Sequence, residues 1–254
     1  MIRPMHGPAR THILDGPVHG VRQAVEAASG FDPGAYATFE RLLSTSQAGL
    51  TGGQTVATVP ELEGGANLTT IGGSNEALHV ADGDLLDFDG VDDAYDAATK
   101  TPYNFLHQGE NTVAWVMDLE SDVSGLQALW YTGLDAPGGV LVYVRVGQLN
   151  VILSNNTARI AQGASSTALL TNTRHVVIQT ITASSIQWWV DGVSAGSIPV
   201  TGPFGDLDSE FVLRLGRFGT SWAQGAKMGS FHMWSGAVTA SESIAAITAH
   251  LGGL

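Results

Sequence analysis

The chain has 254 residues, 44% of them apolar and 14% charged, with 32 glycines, a composition that supports one large β domain and excludes global disorder. It has no cysteine, which excludes disulfides and thiolate metal sites. Its formal net charge is −13, and because basic and acidic residues balance over positions 1–41, all of that charge lies beyond them, on a body that repels nucleic acid and anionic lipid.

Residues 1–20 are rich in Pro, Gly and His and show neither helical nor strand period. They read as an extended arm that takes order from a partner. The opening MIRPMHGPARTHILDG carries no apolar core of a secretory signal, so synthesis in a cytoplasm is expected. No apolar run reaches 18 residues, so no membrane span is expected. VRQAVEAA (21–28) places Val21, Ala24, Val25 and Ala28 at helical spacing and stops at Gly30, which predicts a short helix. AYATFERLL (35–43) reads equally as helix or strand. The expected division is an arm over 1–34 and a β domain over 35–254.

From residue 55 the pattern changes to short apolar runs separated by Gly, Asn, Asp and Ser turns. Strands are predicted at 55–59, 84–88, 111–119, 126–132, 139–146, 148–154, 174–182, 185–190, 210–216 and 226–234. Hairpin turns are expected at Gly147-Gln148 and at Asp191-Gly192, the second on the strength of its Asp-Gly pair. TASESIAAITAHL predicts a closing helix capped by Thr239 or Ser241, with Ile244, Ile247 and Leu251 on one face. Many short antiparallel strands and one small helix imply an all-β, two-sheet antiparallel jelly-roll sandwich.

The order LDFDGVDDAYD, NTVAWVMDL, IQWWVDG, FVLRLGR and GSFHMWSGAVTASES, with a closing helix, resembles the concanavalin A-like lectin/glucanase jelly rolls, in particular the laminin-G-like modules. GQTVATVPELEGGANLT (53–69) resembles the leading segment of such modules in phage and bacterial proteins. The likeness covers about residues 45–254. It implies the sandwich fold; the function stays open, since the fold hosts lectins, glycosidases and structural modules.

Seven aspartates fall between Asp82 and Asp96. Leu86, Phe88 and Val91 are expected to face the core, with Asp87 and Asp89 outward. Turn chemistry accounts for the cluster without a ligand: Asp89-Gly90 marks a turn, and Asp92 or Asp93 can accept backbone N–H groups. The alternative is a calcium site built from Asp89, Asp92, Asp93 and Asp96, because Ca²⁺ takes six to eight oxygens. The resemblance permits it, since such modules often bind calcium through residues that vary. The cofactor expectation is therefore none, with calcium as the open alternative.

A second acidic stretch, GDLDSEF, places Asp206, Asp208 and Glu210 at alternate positions, and retaining glycosidases need carboxyls about 5–5.5 Å apart. The family's glucanases carry E-x-D-x-x-E or E-x-D-x-E, whereas this stretch reads D-x-D-x-E, so no catalytic residue is expected. His6, His12 and His19 lack metal spacing, and His232 reads as sheet surface or a satisfied core histidine. Trp115 and Trp234 read as core. Trp188 and Trp189 are adjacent, so one must point away from its sheet, and Trp222 lies in a Gly-rich loop. These three are the candidate carbohydrate platforms, with a contact to another subunit as the alternative role of Trp222.

The expected role is non-enzymatic: a structural or adhesion protein of a virus particle, of phage type. It would be a capsid decoration or a head or tail spike, docked on other virion proteins through residues 1–34. It would be assembled in the host cytoplasm as a homo-oligomer, for which a trimer suits a spike, and would hold host-surface glycans. The alternative is a free lectin or glycoside hydrolase of the same fold.

Overall fold

The computed structural model describes residues 41–43, 52–61, 66–71, 76–81, 85–120, 125–135, 137–218, 221–222 and 225–253. The arm and the 21–28 helix lie outside these residues.

In chain order the strands are β1 (Arg41–Leu43), β2 (Thr58–Val59), β3 (Leu68–Thr70), β4 (Leu78–Val80), β5 (Leu85–Phe88), β6 (Tyr95–Ala97), β7 (Asn111–Leu119), β8 (Gln127–Tyr131), β9 (Gly139–Arg145), β10 (Gln148–Ser154), β11 (Arg159–Ala168), β12 (Arg174–Ile181), β13 (Ser185–Val190), β14 (Val193–Pro199), β15 (Arg214–Leu215), β16 (Arg217–Phe218), β17 (Ser221–Trp222) and β18 (Ala226–Ser235). Among the described residues two α-helices accompany them, α1 (Phe105–Gln108) and α2 (Ser241–Gly252), with one 3-10 turn at Thr101–Tyr103.

The first sheet runs β14-β13-β12-β7-β18-β5-β4, with β1 also on β18. The second runs β11-β10-β9-β8-β15-β6-β3-β2, and β16 pairs β17 in a separate small hairpin. Every strand pairing is antiparallel. This is the two-sheet antiparallel sandwich expected.

The core lies between the sheets because inward side chains alternate along each strand. Val113, Trp115, Met117 and Leu119 of β7 face Val140, Val142 and Val144 of β9 and Leu149, Val151 and Leu153 of β10 in one cluster. Trp115 stacks on Phe231 at 5.9 Å and meets Trp130 edge-on at 6.3 Å. The alternate residues of β7 and β12, Ala114, Val116, Val176 and Ile178, face outward and are covered by Ile244, Ile247 and Leu251 of α2. The helix therefore presents the face expected of it. Its N-cap, however, is Ala240, with no side-chain cap, in place of Thr239 or Ser241.

Ten predicted strands are present, some of them shorter than expected. β15 begins only at Arg214, because residues 209–212 are pinned as a loop: Glu210 N–H donates to Gly138 O, and Phe211 N–H to Thr132 O. The first hairpin turns at Val146-Gly147, one residue earlier than expected, with Val146 at φ 50°. The Asp191-Gly192 turn forms as expected, both residues at positive φ. In β18 an extra residue opposite Trp115 makes a bulge, and Ser230 takes φ 47° there.

Gly216 follows β15 with φ 82°, and a Cβ there would lie 2.5 Å from the Phe88 ring and 2.7 Å from Asp93 O. Gly216→Ala is expected to destabilise by about 2–4 kcal/mol, combining backbone strain and overpacking, as a lowered urea midpoint at unchanged slope.

Candidate functional site

Strand β5 ends at Phe88 because its ring is buried in the core, and the chain must then cross to β6 in the other sheet. Residues 89–94 make that crossing as a tight turn. Asp89 Oδ1 accepts N–H groups from Val91 (2.7 Å) and Asp92 (3.4 Å), and Asp93 Oδ2 accepts the N–H of Asp89 at 2.8 Å. This is the turn chemistry anticipated for the stretch. Val91 is 67% exposed, since the strand alternation stops at Phe88; it does not face the core.

The same turn gathers carboxylates. One oxygen each of Asp89, Asp92 and Asp93 lies within 4.8 Å of the others. Asp96 is not part of this group. It sits on β6, forms an ion pair with Arg214 of β15 through both carboxylate oxygens, and Arg214 also donates to Tyr131 Oη at 2.9 Å. The four-residue set expected from the sequence is therefore three residues plus a separate ion pair.

The turn opens on a cleft of about 350 Å³ lined by Glu76, Leu78, Asp87, Phe88, Asp89, Asp93, Glu120 and Gly225. Glu76 and Glu120 come from distant parts of the chain, and no spacing in the sequence pointed to them. Across the outer face of the first sheet, Asp87, Lys227, Asp118 and Arg174 stand in register as one charged row. Lys227 pairs with Glu120, which raises its affinity for a proton. Burial, and then the Glu120 charge, raise Asp87 above the ordinary carboxylate range. Burial pushes Asp93 up to about 6, with the Asp89 and Asp92 charges adding to it against the N–H it accepts from Asp89.

The donor set is all oxygen, which suits a hard cation. Asp89, Asp92 and Asp93 would hold calcium at one side of the cleft, and a coordination number of six to eight leaves positions for water or ligand hydroxyls. Such an ion would supply charge compensation and direct oxygen ligation.

The tryptophans are placed differently from expectation. Trp188 faces the core, fully buried, its Nε1–H donating to Gln179 Oε1 at 3.0 Å. Trp189 does point to the other face, as adjacency requires, but α2 covers that face and leaves it 7% exposed. Neither ring offers a free face for a sugar. Trp222 lies on β17, whose backbone pairs β16, opposite Arg217.

The three carboxylates of the stretch 206–210 are each held by a different partner. Asn156 donates to Asp206, Asn104 donates to Asp208 at 2.6 Å, and Glu210 accepts the N–H of Leu134 at 3.1 Å. Each carboxylate ties the loop to a different element. His232 is buried as a core histidine, but unsatisfied.

No protein-family model matches this chain, and no curated protein does. Solved structures share its fold. It is similar to Trypanosoma rangeli sialidase in complex with the inhibitor DANA, at TM-score 0.60 and 15% identity, over 91% of this chain and 37% of that one. It is similar to the binding domain of Paraclostridial Mosquitocidal Protein 1, at TM-score 0.59 and 11% identity, over 85% and 52%. The Botulinum neurotoxin serotype D binding domain gives TM-score 0.58 and 12% identity, over 84% and 50%. The chain thus spans about a third of the sialidase and half of each toxin domain. The likeness is one of fold.

A carboxyl whose pKa is raised in the folded state contributes stability below its ordinary value, which is lost as pH rises through the folded value. In chelator, Asp93→Asn is therefore expected to gain on the unsubstituted protein as pH rises from 4 to above 6. The gain should be on the order of 2–3 kcal/mol in urea unfolding, because Asn keeps the acceptor and cannot ionise.

Proposed function

We propose that this chain is a non-enzymatic glycan-binding module whose recognition site is the acidic cleft, with calcium held by Asp89, Asp92 and Asp93. The observation that carries the reading is the convergence of those three carboxylates, with Asp89 and Asp93 lining a cleft roomy enough for a sugar unit. Sugar hydroxyls are hard oxygen ligands, so a cation with open positions binds them directly, and Glu76, Asp87 and Glu120 accept hydrogen bonds from the others. The sandwich fold supports the reading, as does its likeness to a sialidase solved with sialic acid. The separate engagement of Asp206, Asp208 and Glu210 supports binding without hydrolysis. Trp222 remains the candidate aromatic platform.

The setting we propose is the surface of a virus particle of phage type, as a decoration or spike component assembled in the host cytoplasm. Residues 1–34 would dock on other virion proteins, and the module would act as a homo-oligomer. The uneven charge supports this, since a balanced arm precedes an acidic body that stays soluble and avoids a packaged genome.

The test is binding of the full chain to a glycan array that includes sialylated glycans, with calcium and with chelator. The expected result is binding in calcium, lost in chelator and lost in Asp89→Asn/Asp93→Asn. Binding that survives both chelator and the double substitution would move recognition away from the cleft. Release of sugar from any bound glycan would overturn the non-enzymatic reading.

A further inference from the structure

A second site, far along the outer face of the first sheet, carries buried polar atoms that neither the cleft nor the core explains. His232 of β18 points under α2 and is 4% exposed, with Nδ1 and Nε2 both lacking a hydrogen-bond partner. Its ring stacks on Trp234, with centroids 6.0 Å apart and planes 20° from parallel. On its other side lies His250 in the last turn of α2, edge-on at 6.4 Å, with a buried and unpartnered Nε2. The layer between this sheet face and α2 is an apolar cluster that includes Ala114, Val176, Ile178, Trp189 and Trp234 from the sheet and Ile247 and Leu251 from the helix.

A neutral imidazole always carries one N–H, so at least one donor of His232 is buried without an acceptor. Such a group weakens the contact it sits in, and a hydrophobic residue there would not. We propose that His232 and His250 form an acid-sensitive clasp: neutral, they let α2 pack on the sheet, and protonated, they drive it off.

Among the described residues, no carboxylate acts on either ring. On α2 the other ionisable residue is Glu242, exposed in the first turn, two turns from His250. Across from His232 on β7 is Ala114, and the charges of this face, Asp87, Asp118, Arg174 and Lys227, form the row four residues further along β7. On β1 the residue opposite is Leu42, with Arg41 opposite Met233. The facing group that gains charge is His250, of the same sign.

The direction follows from linkage. Burial, with the His250 charge adding to it, holds His232 near 3 against an ordinary 6.5, and burial lowers His250 as well. A lowered histidine pKa stabilises the packed state above the ordinary value, and that stabilisation is lost as pH falls from about 6.5 toward 3. Each pH unit in that window moves the packing equilibrium about tenfold toward release, so His232 alone shifts it about 100-fold by pH 4.5. Release uncovers Trp189, Trp234 and the apolar residues beside them, an apolar surface that exists only in acid.

Hydrogen–deuterium exchange on the full chain at pH 7.4 and pH 4.5, corrected for intrinsic rates, tests the proposal. The expected result is an approximately 100-fold loss of protection over 241–252 at pH 4.5, with β9 and β10 still protected. That loss should be absent in His232→Leu/His250→Leu. Equal protection of α2 at both pH values, or a loss that persists in the double variant, would overturn it. An imidazole NMR titration of the unsubstituted protein gives a second readout that needs no variant. His232 should titrate together with the loss of α2 protection, and titration near 6.5 with α2 still protected would overturn the clasp.

Discussion

Phe88 and Tyr95 meet edge to face across the core, their centroids 6.0 Å apart, and they belong to different sheets. The six residues between them have to carry the chain from one sheet to the other. That constraint organises this end of the molecule. A crossing this short needs side chains that satisfy turn N–H groups locally, and aspartate does so better than most. Three aspartates in one tight crossing bring their carboxylates together, and β5, β18 and the end of β7 place Asp87 and Glu120 beside them. The acidic cleft is thus a by-product of the sheet-to-sheet passage that also closes the core. Its cost is visible in Asp93, whose burial beside two like charges holds it near 6. A bound cation removes that cost.

The sandwich itself was legible because most of its long strands announce themselves. NTVAWVMDL, GVLVYVR and RHVVIQTI are β-branched and aromatic runs, bounded by turns, that fit no helix period. The strands not foreseen lack that signal. β11 reads RIAQGASSTA and pairs because β10 offers it a free edge, with shifts in register on the way. β3, β4 and β6 are three residues each and owe their pairing to neighbours distant in sequence. The aspartate turn was legible from Asp89-Gly90, but the cleft was not, because Glu76 and Glu120 reach it only through tertiary packing.

The tryptophans show the limit of alternation as an argument. Two adjacent residues on a strand do point to opposite faces, and Trp188 and Trp189 obey. Alternation does not reveal whether the second face is wet. Here α2 covers it, and the covering layer turns Trp189 into core and His232 into a buried group without partners. A polar residue facing a helix in this way costs stability, which distinguishes it from the satisfied His175. His175 Nδ1 lies 2.7 Å from Asp191, and its Nε2 accepts the N–H of Leu170, so it ties two turns together.

A hard cation held by Asp89, Asp92 and Asp93 would be visible in terbium luminescence. Titration of the full chain with Tb³⁺ at pH 7, excited through its aromatic residues, should give one saturable emission that calcium displaces and that Asp89→Asn/Asp93→Asn abolishes. Emission that never saturates, or that persists unchanged in the double variant, would mean that these carboxylates hold no ion and serve as turn chemistry alone.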